Sequence, residues 1–246
     1  MKIAGITDIG LSRRSNQDAF KVGRLGNDAA YTVVCDGMGG ANGGQIASQT
    51  AVEVIERQIT QGFRGDMSGR SVKNMLTSAI QAANASVYDR AKKDPSLEGM
   101  GTTAVVCLVL NGAAHIAHAG DSRAYLIAGG ECTQLTRDHS MVQQLLECGE
   151  ITQEQAKSHP RKHIITRAVG VNEILQVDYG ETPVYSPGAV VSCSDGLSNY
   201  IEPQELLKIH GAPENDHDLD EYVSALVDLA KQRGGADNIT AAVIEY

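Results

Sequence analysis

Apolar and polar positions along this chain fall into two kinds of pattern. Residues 2–7, 31–35, 102–110, 113–119, 123–128, 188–194 and 239–244 form short, largely unbroken apolar runs rich in β-branched residues. Such runs predict strands covered on both faces. Asn111-Gly112 joins two of them through a hairpin turn. Helical periods lie between. Ile46, Ala47, Ala51, Val54, Ile55 and Ile59 make one apolar face, and Val72, Met75, Leu76, Ala79, Ile80, Ala83 and Val87 a longer one. Met141, Val142, Leu145 and Leu146 predict a short helix over 140–148, and Thr152-Gln153-Glu154-Gln155 matches a capping box. Pro203 suits the first turn of a helix reaching His210. Leu219, Val223, Leu226, Val227 and Ala230 mark a last helix, stopped by Gly234-Gly235. Residues 10–18 read as a polar loop, and residues from about 140 to 182 as a poorly periodic excursion. With no linker, repeat or low-complexity segment, the chain reads as one domain over 1–246.

Charge and cysteine content narrow the picture. The 246 residues carry a formal net charge of −9 and no cluster of lysine or arginine, which argues against a nucleic-acid partner. The longest apolar run, 104–110, is too short to cross a bilayer, and residues 1–6 lack the apolar region of a signal peptide. The five cysteines are scattered without a CxxC pair, and Cys35, Cys107 and Cys193 lie inside apolar runs. They predict free thiols in a reduced, cytoplasmic protein rather than a disulfide frame or zinc site. Ser158-His159-Pro160-Arg161-Lys162-His163 is the one locally basic stretch. It reads either as a solvated turn or as a surface on which Arg161, Lys162 and His163 attract acidic or phosphorylated substrates.

The candidate chemistry lies at strand ends. In Val33-Val34-Cys35-Asp36-Gly37-Met38-Gly39-Gly40 an apolar run stops at a carboxylate followed by glycines. Asp195 and Asp237 also stand where an apolar run meets a Gly or Asn turn, and Asp121 occupies a similar position. Each alone also fits a plain turn. Gathered at one rim, such carboxylates repel and require a cation. An all-oxygen ligand set calls for a hard ion such as Mg²⁺ or Mn²⁺.

These residues sit in a series of motifs that resembles the metal-dependent PP2C family of protein phosphatases, in its compact bacterial form. The series runs nearly end to end: Thr7-Asp8-Ile9-Gly10 before Arg13, Asn16-Gln17-Asp18, Asp36-Gly37-Met38-Gly39-Gly40, Gly101-Thr102-Thr103, Gly120-Asp121-Ser122-Arg123, Asp138-His139-Ser140, Ser194-Asp195-Gly196-Leu197 and Asp237-Asn238-Ile239-Thr240. The resemblance implies an α+β fold, a four-layer α-β-β-α sandwich of two antiparallel sheets flanked by helices. Residues 140–182 would be a small flap. It implies that Asp36 bridges two ions, Mn²⁺ or Mg²⁺, and that Gly37 lends its carbonyl. Asp195 and Asp237 complete the shell, and Asp121 with Asp195 holds a third, weaker ion. Arg13 would grip the substrate phosphate and Asp18 would order bound water. The implied reaction is hydrolysis of phosphoserine and phosphothreonine by a metal-activated hydroxide, opposing a bacterial Ser/Thr kinase, with monomer as the default state. The absence of a Cys-x5-Arg loop fits this route.

Three positions depart from the family pattern. Gln17 stands where many members carry Glu, and Met38 and Ala41 stand where relatives place histidines. The proton for the leaving group must then come from water or another histidine. His139 is a candidate, against a structural hydrogen bond. A catalytically silent phosphoprotein-binding module and a hydrolase of small phosphoesters remain as alternatives.

Overall fold

The computed structural model describes residues 1–211 and 218–246. Two antiparallel sheets stack face to face. One has the order β1 (Lys2–Asp8), β11 (Ile239–Glu245), β10 (Gly188–Cys193), β7 (Arg123–Ala128) and β8 (Glu131–Gln134). The other runs β2 (Asp18–Leu25), β3 (Ala29–Met38), β5 (Ala104–Leu110), β6 (Ala113–Ala119) and β9 (Asp178–Pro183). The short β4 (Gly101–Thr102) pairs with the far end of β3.

Alternation along each strand builds the layers. In β3, Tyr31, Val33 and Cys35 pack under α1 (Gly40–Gly62) and α2 (Gly69–Lys93), while Ala30 and Val34 face the other sheet. In β10 and β11, Ala189, Val191, Ala241 and Val243 pack under α6 (Pro203–His210) and α7 (Leu219–Gln232). Val190, Ala242 and Ile244 turn to the inter-sheet core. Because both faces are covered, the central strands tolerate almost no polar residue. This is the four-layer sandwich expected. α3 (Met141–Glu147) and α4 (Gln153–Lys157) lie in the excursion, and α5 (Asp195–Ser198) is a single turn. The capping box of Thr152 and Gln155 forms as read. No helix among the described residues is long and apolar enough to cross a membrane.

Three boundaries differ from the sequence reading, each for a local reason. The run 102–110 breaks at Thr103, whose hydroxyl, not its backbone carbonyl, accepts the Asp36 N–H at 2.9 Å. Residues 18–25 and 178–183 are strands, the two edges of the second sheet. The excursion therefore closes before β9, which pairs with β6 from Asp178 onward.

Candidate active site

The acids collect at one end of the inter-sheet layer. In β3 the inward alternation of Ala30, Thr32 and Val34 continues to Asp36. Asp18 opens β2 directly opposite Asp36 in the ladder, so the two carboxylates share one face of one sheet. The other sheet contributes Asp195, just beyond β10, and Asp237, just before β11. Asp121 stands in the turn by which the chain leaves β6 in one sheet for β7 in the other.

Burial and mutual repulsion dominate the electrostatics. Asp18 is 6% exposed, and its carboxyl is pushed up to about 7 by burial and by Asp195 and Asp237, although Thr240 and Ser194 hydrogen-bond to it. Those hydroxyls donate to one oxygen, Oδ2, at 2.6 and 2.7 Å. Burial raises Asp36 well above the usual range, with Asp18, Asp195, Asp121 and Asp237 adding to it. Asp121 rises to about 7 through burial and then through Asp195 and Asp138. Asp195 is raised by burial and Asp237, and is eased by Asp36, Asn199 and the exposed His163. A guanidinium answers one of these charges directly: Arg13 Nη2 donates to Asp237 Oδ2 at 2.7 Å.

The loop carrying Arg13 is pinned to the strand carrying Asp237. Asn238 is 5% exposed and spends its whole amide on that loop. Its Nδ2 donates to the carbonyls of Ile9 at 2.9 Å and Ser15 at 3.0 Å, and its Oδ1 accepts the Gln17 N–H at 2.8 Å. Gly10 permits the approach, since at its φ of +76° any Cβ would drive into the Asp237 carbonyl. Gly37 is equally constrained: a Cβ there would collide with the carbonyls of Gly44 and Gln17.

A protein-family model described as "Protein phosphatase 2C" matches residues 12–242. The chain belongs to the protein phosphatase 2C family. Protein phosphatase PhpP of Streptococcus pneumoniae is 36% identical over 251 residues, covering 99% of this chain and 97% of that protein. The serine/threonine phosphatase of S. agalactiae superposes with a TM-score of 0.89 at 31% identity, covering 98% of each chain. The catalytic domain of the phosphatase PstP, solved in complex with two manganese ions, gives a TM-score of 0.83 at 31% identity, covering 99% of this chain and 97% of that one.

PP2C phosphatases are metal-dependent, and the residues gathered here suit a hard divalent ion. Asp18 Oδ1 and Asp195 Oδ1 are buried with no hydrogen-bond partner among the described residues. An orphaned carboxylate oxygen aimed at other carboxylates is costly without a cation and natural with one. The ring of candidate ligands is all oxygen, as Mn²⁺ or Mg²⁺ prefers.

A second group in this PP2C chain has ligand-like spacing but is already satisfied. His118, His139 and Asp178 place their ligand atoms within 4.8 Å of one another. Yet His118 Nε2 bonds the Arg137 carbonyl at 2.9 Å, and His139 Nδ1 accepts the Gly120 N–H at 3.1 Å. His139 Nε2 lies 3.1 Å from Asp178, whose other oxygen accepts from Arg167 at 2.7 Å. Both ring nitrogens of His139 are thus engaged, Nδ1 by the N–H that opens the Gly120-Asp121 turn and Nε2 by Asp178 and Arg167. Met38 packs beside Gly101; the side chain of Ala41 lies outside the described residues. The sequence motifs contained the supporting polar residues Thr103, Ser194, Asn238 and Thr240 but assigned them no role. Their signal was the period-two inward face of β10 and β11 and the polar residue next to each acid.

Proposed function

We propose that this chain hydrolyses phosphoserine and phosphothreonine in proteins, acting as one catalytic domain over 1–246 at the cleft of Asp36, Asp195 and Asp237. The observation that carries the proposal is the set of buried and half-buried, mutually repelling carboxylates with two orphaned oxygens, in a chain of this family. Asp36, Asp195 and Asp237 with the Gly37 carbonyl would hold two Mn²⁺ or Mg²⁺ ions, and Asp121 with Asp195 a third. When bound, such ions lower the pKa of a shared water toward neutrality and offset charge on the transferring phosphoryl group.

The protein's own residues supply the rest. Arg13 is held at the cleft mouth by Asn238 and Asp237, with guanidinium nitrogens left to grip two phosphoryl oxygens in parallel. Asp18 is locked by Ser194 and Thr240 through one oxygen, leaving the other to orient water. The Asp36 backbone is clamped by Thr103 on both its N–H and its carbonyl, so its carboxyl is preorganised. A phosphoprotein substrate implies a Ser/Thr kinase acting in opposition. Five free cysteines support a reducing compartment such as the cytoplasm, with a monomer as the working unit.

The test is hydrolysis of p-nitrophenyl phosphate and of a phosphothreonine peptide, with Mn²⁺ and then with chelator. Mn²⁺-dependent turnover of both is expected. No turnover of either would overturn the enzyme reading, and turnover of the small phosphate alone would make this a small-molecule phosphoesterase.

A further inference from the structure

Gln17 stands where three segments meet beside the acidic cleft: the loop that carries Arg13, the end of β3 and the start of α1. It is half-buried, and both its backbone and its side chain bond across these boundaries. Its N–H donates to Asn238 Oδ1 at 2.8 Å. Its carbonyl accepts the Gly37 N–H at 3.1 Å and the hydroxyl of Ser48, in α1, at 2.6 Å. Its side-chain Nε2 donates to the Gly40 carbonyl at 3.0 Å.

The turn gripped in this way has little to hold it from within. The β2–β3 ladder ends with Asp18 opposite Asp36, and β4 adds only Thr102 opposite Gly37 and Gly101 opposite Met38. Beyond these pairs, Gly39 and Gly40 take φ of +115° and +58°, a conformation that glycine reaches, and leaves, without steric cost. Helix α1 opens from Gly39 with no side-chain cap and no acid in its first turn. Met100 closes one flank of the turn, since a Cβ on Gly39 would lie 2.6 Å from its Cα. The Gln17 amide closes another. It packs so near Gly44 that a Cβ there would come within 2.9 Å of the Gln17 Cδ.

We propose that Gln17 is a positioning residue for the ions: its side-chain amide latches the Gly37–Gly40 turn, so that the Gly37 carbonyl is preset before an ion binds. The inference rests on the phosphatase reading and deepens it, because that reading gives the Gly37 carbonyl a contact and leaves open what holds it. Position 17 must then be a donor. An amide supplies an N–H to the Gly40 carbonyl, a carboxylate sets oxygen against oxygen, and a thioether of similar length donates nothing. The gain is preorganisation, since a turn already ordered loses less freedom when an ion arrives. The backbone bonds from Gln17 to Asn238 and Gly37 do not involve the side chain. A substitution here therefore releases the turn and leaves the Arg13 loop in place.

The experiment is calorimetric titration of the metal-free protein with Mn²⁺ for wild type, Gln17→Met and Gln17→Glu, beside the Tm of each in chelator. Gln17→Met should raise the Mn²⁺ concentration at half-saturation by about tenfold, the scale of one hydrogen bond. Its Tm in chelator should stay within about 3 °C of the wild type, as for an exposed contact. Gln17→Glu brings a carboxylate beside the cleft and should still bind Mn²⁺ no more tightly than the wild type, because it cannot donate to Gly40. In turnover of a phosphothreonine peptide, the deficit of Gln17→Met should be largest at low Mn²⁺ and narrow as Mn²⁺ rises. Half-saturation of Gln17→Met within about twofold of wild type, or tighter binding by Gln17→Glu, would overturn the latch while leaving the phosphatase reading intact. So would a loss of affinity accompanied by a fall in Tm beyond about 3 °C, the mark of general damage. A wild type that takes up no Mn²⁺ and turns over neither p-nitrophenyl phosphate nor the peptide would instead fail the underlying reading.

Discussion

Two acidic neighbourhoods lie side by side in this protein, and they are built on opposite principles. Under the excursion, Asp138 takes two nitrogens of Arg123 at 3.1 and 2.7 Å, and Asp178 is shared by Arg167 and His139. Burial pushes Asp178 up, but His139 and Arg167 outweigh it and leave its carboxyl below the ordinary range. In the cleft, Asp18, Asp36, Asp121 and Asp195 face one another, and burial with mutual repulsion drives all four upward. The fold thus has the means to neutralise buried carboxylates and withholds them at one place. Charges left unanswered amid so much available guanidinium mark a site completed by something that binds.

The largest test of that contrast is to remove one acid from each neighbourhood. Asp36→Asn should lower kcat/KM by about a thousandfold or more, if Asp36 holds the ions as proposed. The metal-free Tm should nevertheless hold or rise, since a repelling charge has gone. Wild-type-like activity in this variant would break the assignment. Asp138→Asn should do the reverse, lowering Tm by about 5–10 °C by stranding the half-buried Arg123. Equal Tm losses in the two variants, by calorimetry in chelator, would erase the distinction.

Acidity sharpens it next. Asp18 and Asp121 have carboxyls raised from an ordinary 3.8 to about 7, so between those values the folded state binds more protons than the unfolded one. Their contribution to stability is fully present below pH 3.8 and is lost as pH rises toward 7. Asp178 has the opposite sign, and its contribution is lost as pH falls through its lowered value. In chelator, Tm should therefore fall by several degrees from about pH 5 to 7, and saturating Mn²⁺ should flatten the slope. An unchanged slope with Mn²⁺ would mean that the cleft acids are not the ligands.

The smallest effect concerns how Arg13 is held. Asn238→Ala and Arg13→Ala should each reduce kcat/KM for a phosphopeptide by about tenfold, and the double variant by little more than either. Losses that multiply to about a hundredfold would show that Asn238 does not act through the Arg13 loop.

Much of this was legible in the chain because the central strands are covered on both faces and end abruptly. An apolar run that stops at Asp36-Gly37 or Asp195-Gly196 announces an acid at a sheet rim. The edge strands β2 and β9 were not legible, since one flank of each is solvent and residues such as Lys21, Arg24, Gly180 and Pro183 interrupt any apolar pattern. Nor could the chain say that Asp195 has no cationic hydrogen-bond donor among the described residues while Asp178 is gripped: both border strands, and the difference lies in Arg167, which only the tertiary fold brings to Asp178. Assigning roles to Arg13 and Asp18 depended on family resemblance, because residues 10–18 have no period to place them.

The pairing of β1 has a consequence for the order of synthesis. Its ladder partner in the sheet is β11, with Lys2 opposite Glu245, and β11 in turn lies between β1 and β10. A chain emerging from the ribosome must keep its first strand waiting while the rest is made. Asp237, which leads into β11, arrives at the cleft at that same late moment. A chain that stops short of β11 therefore lacks both the strand that joins β1 to β10 and one acid of the cleft.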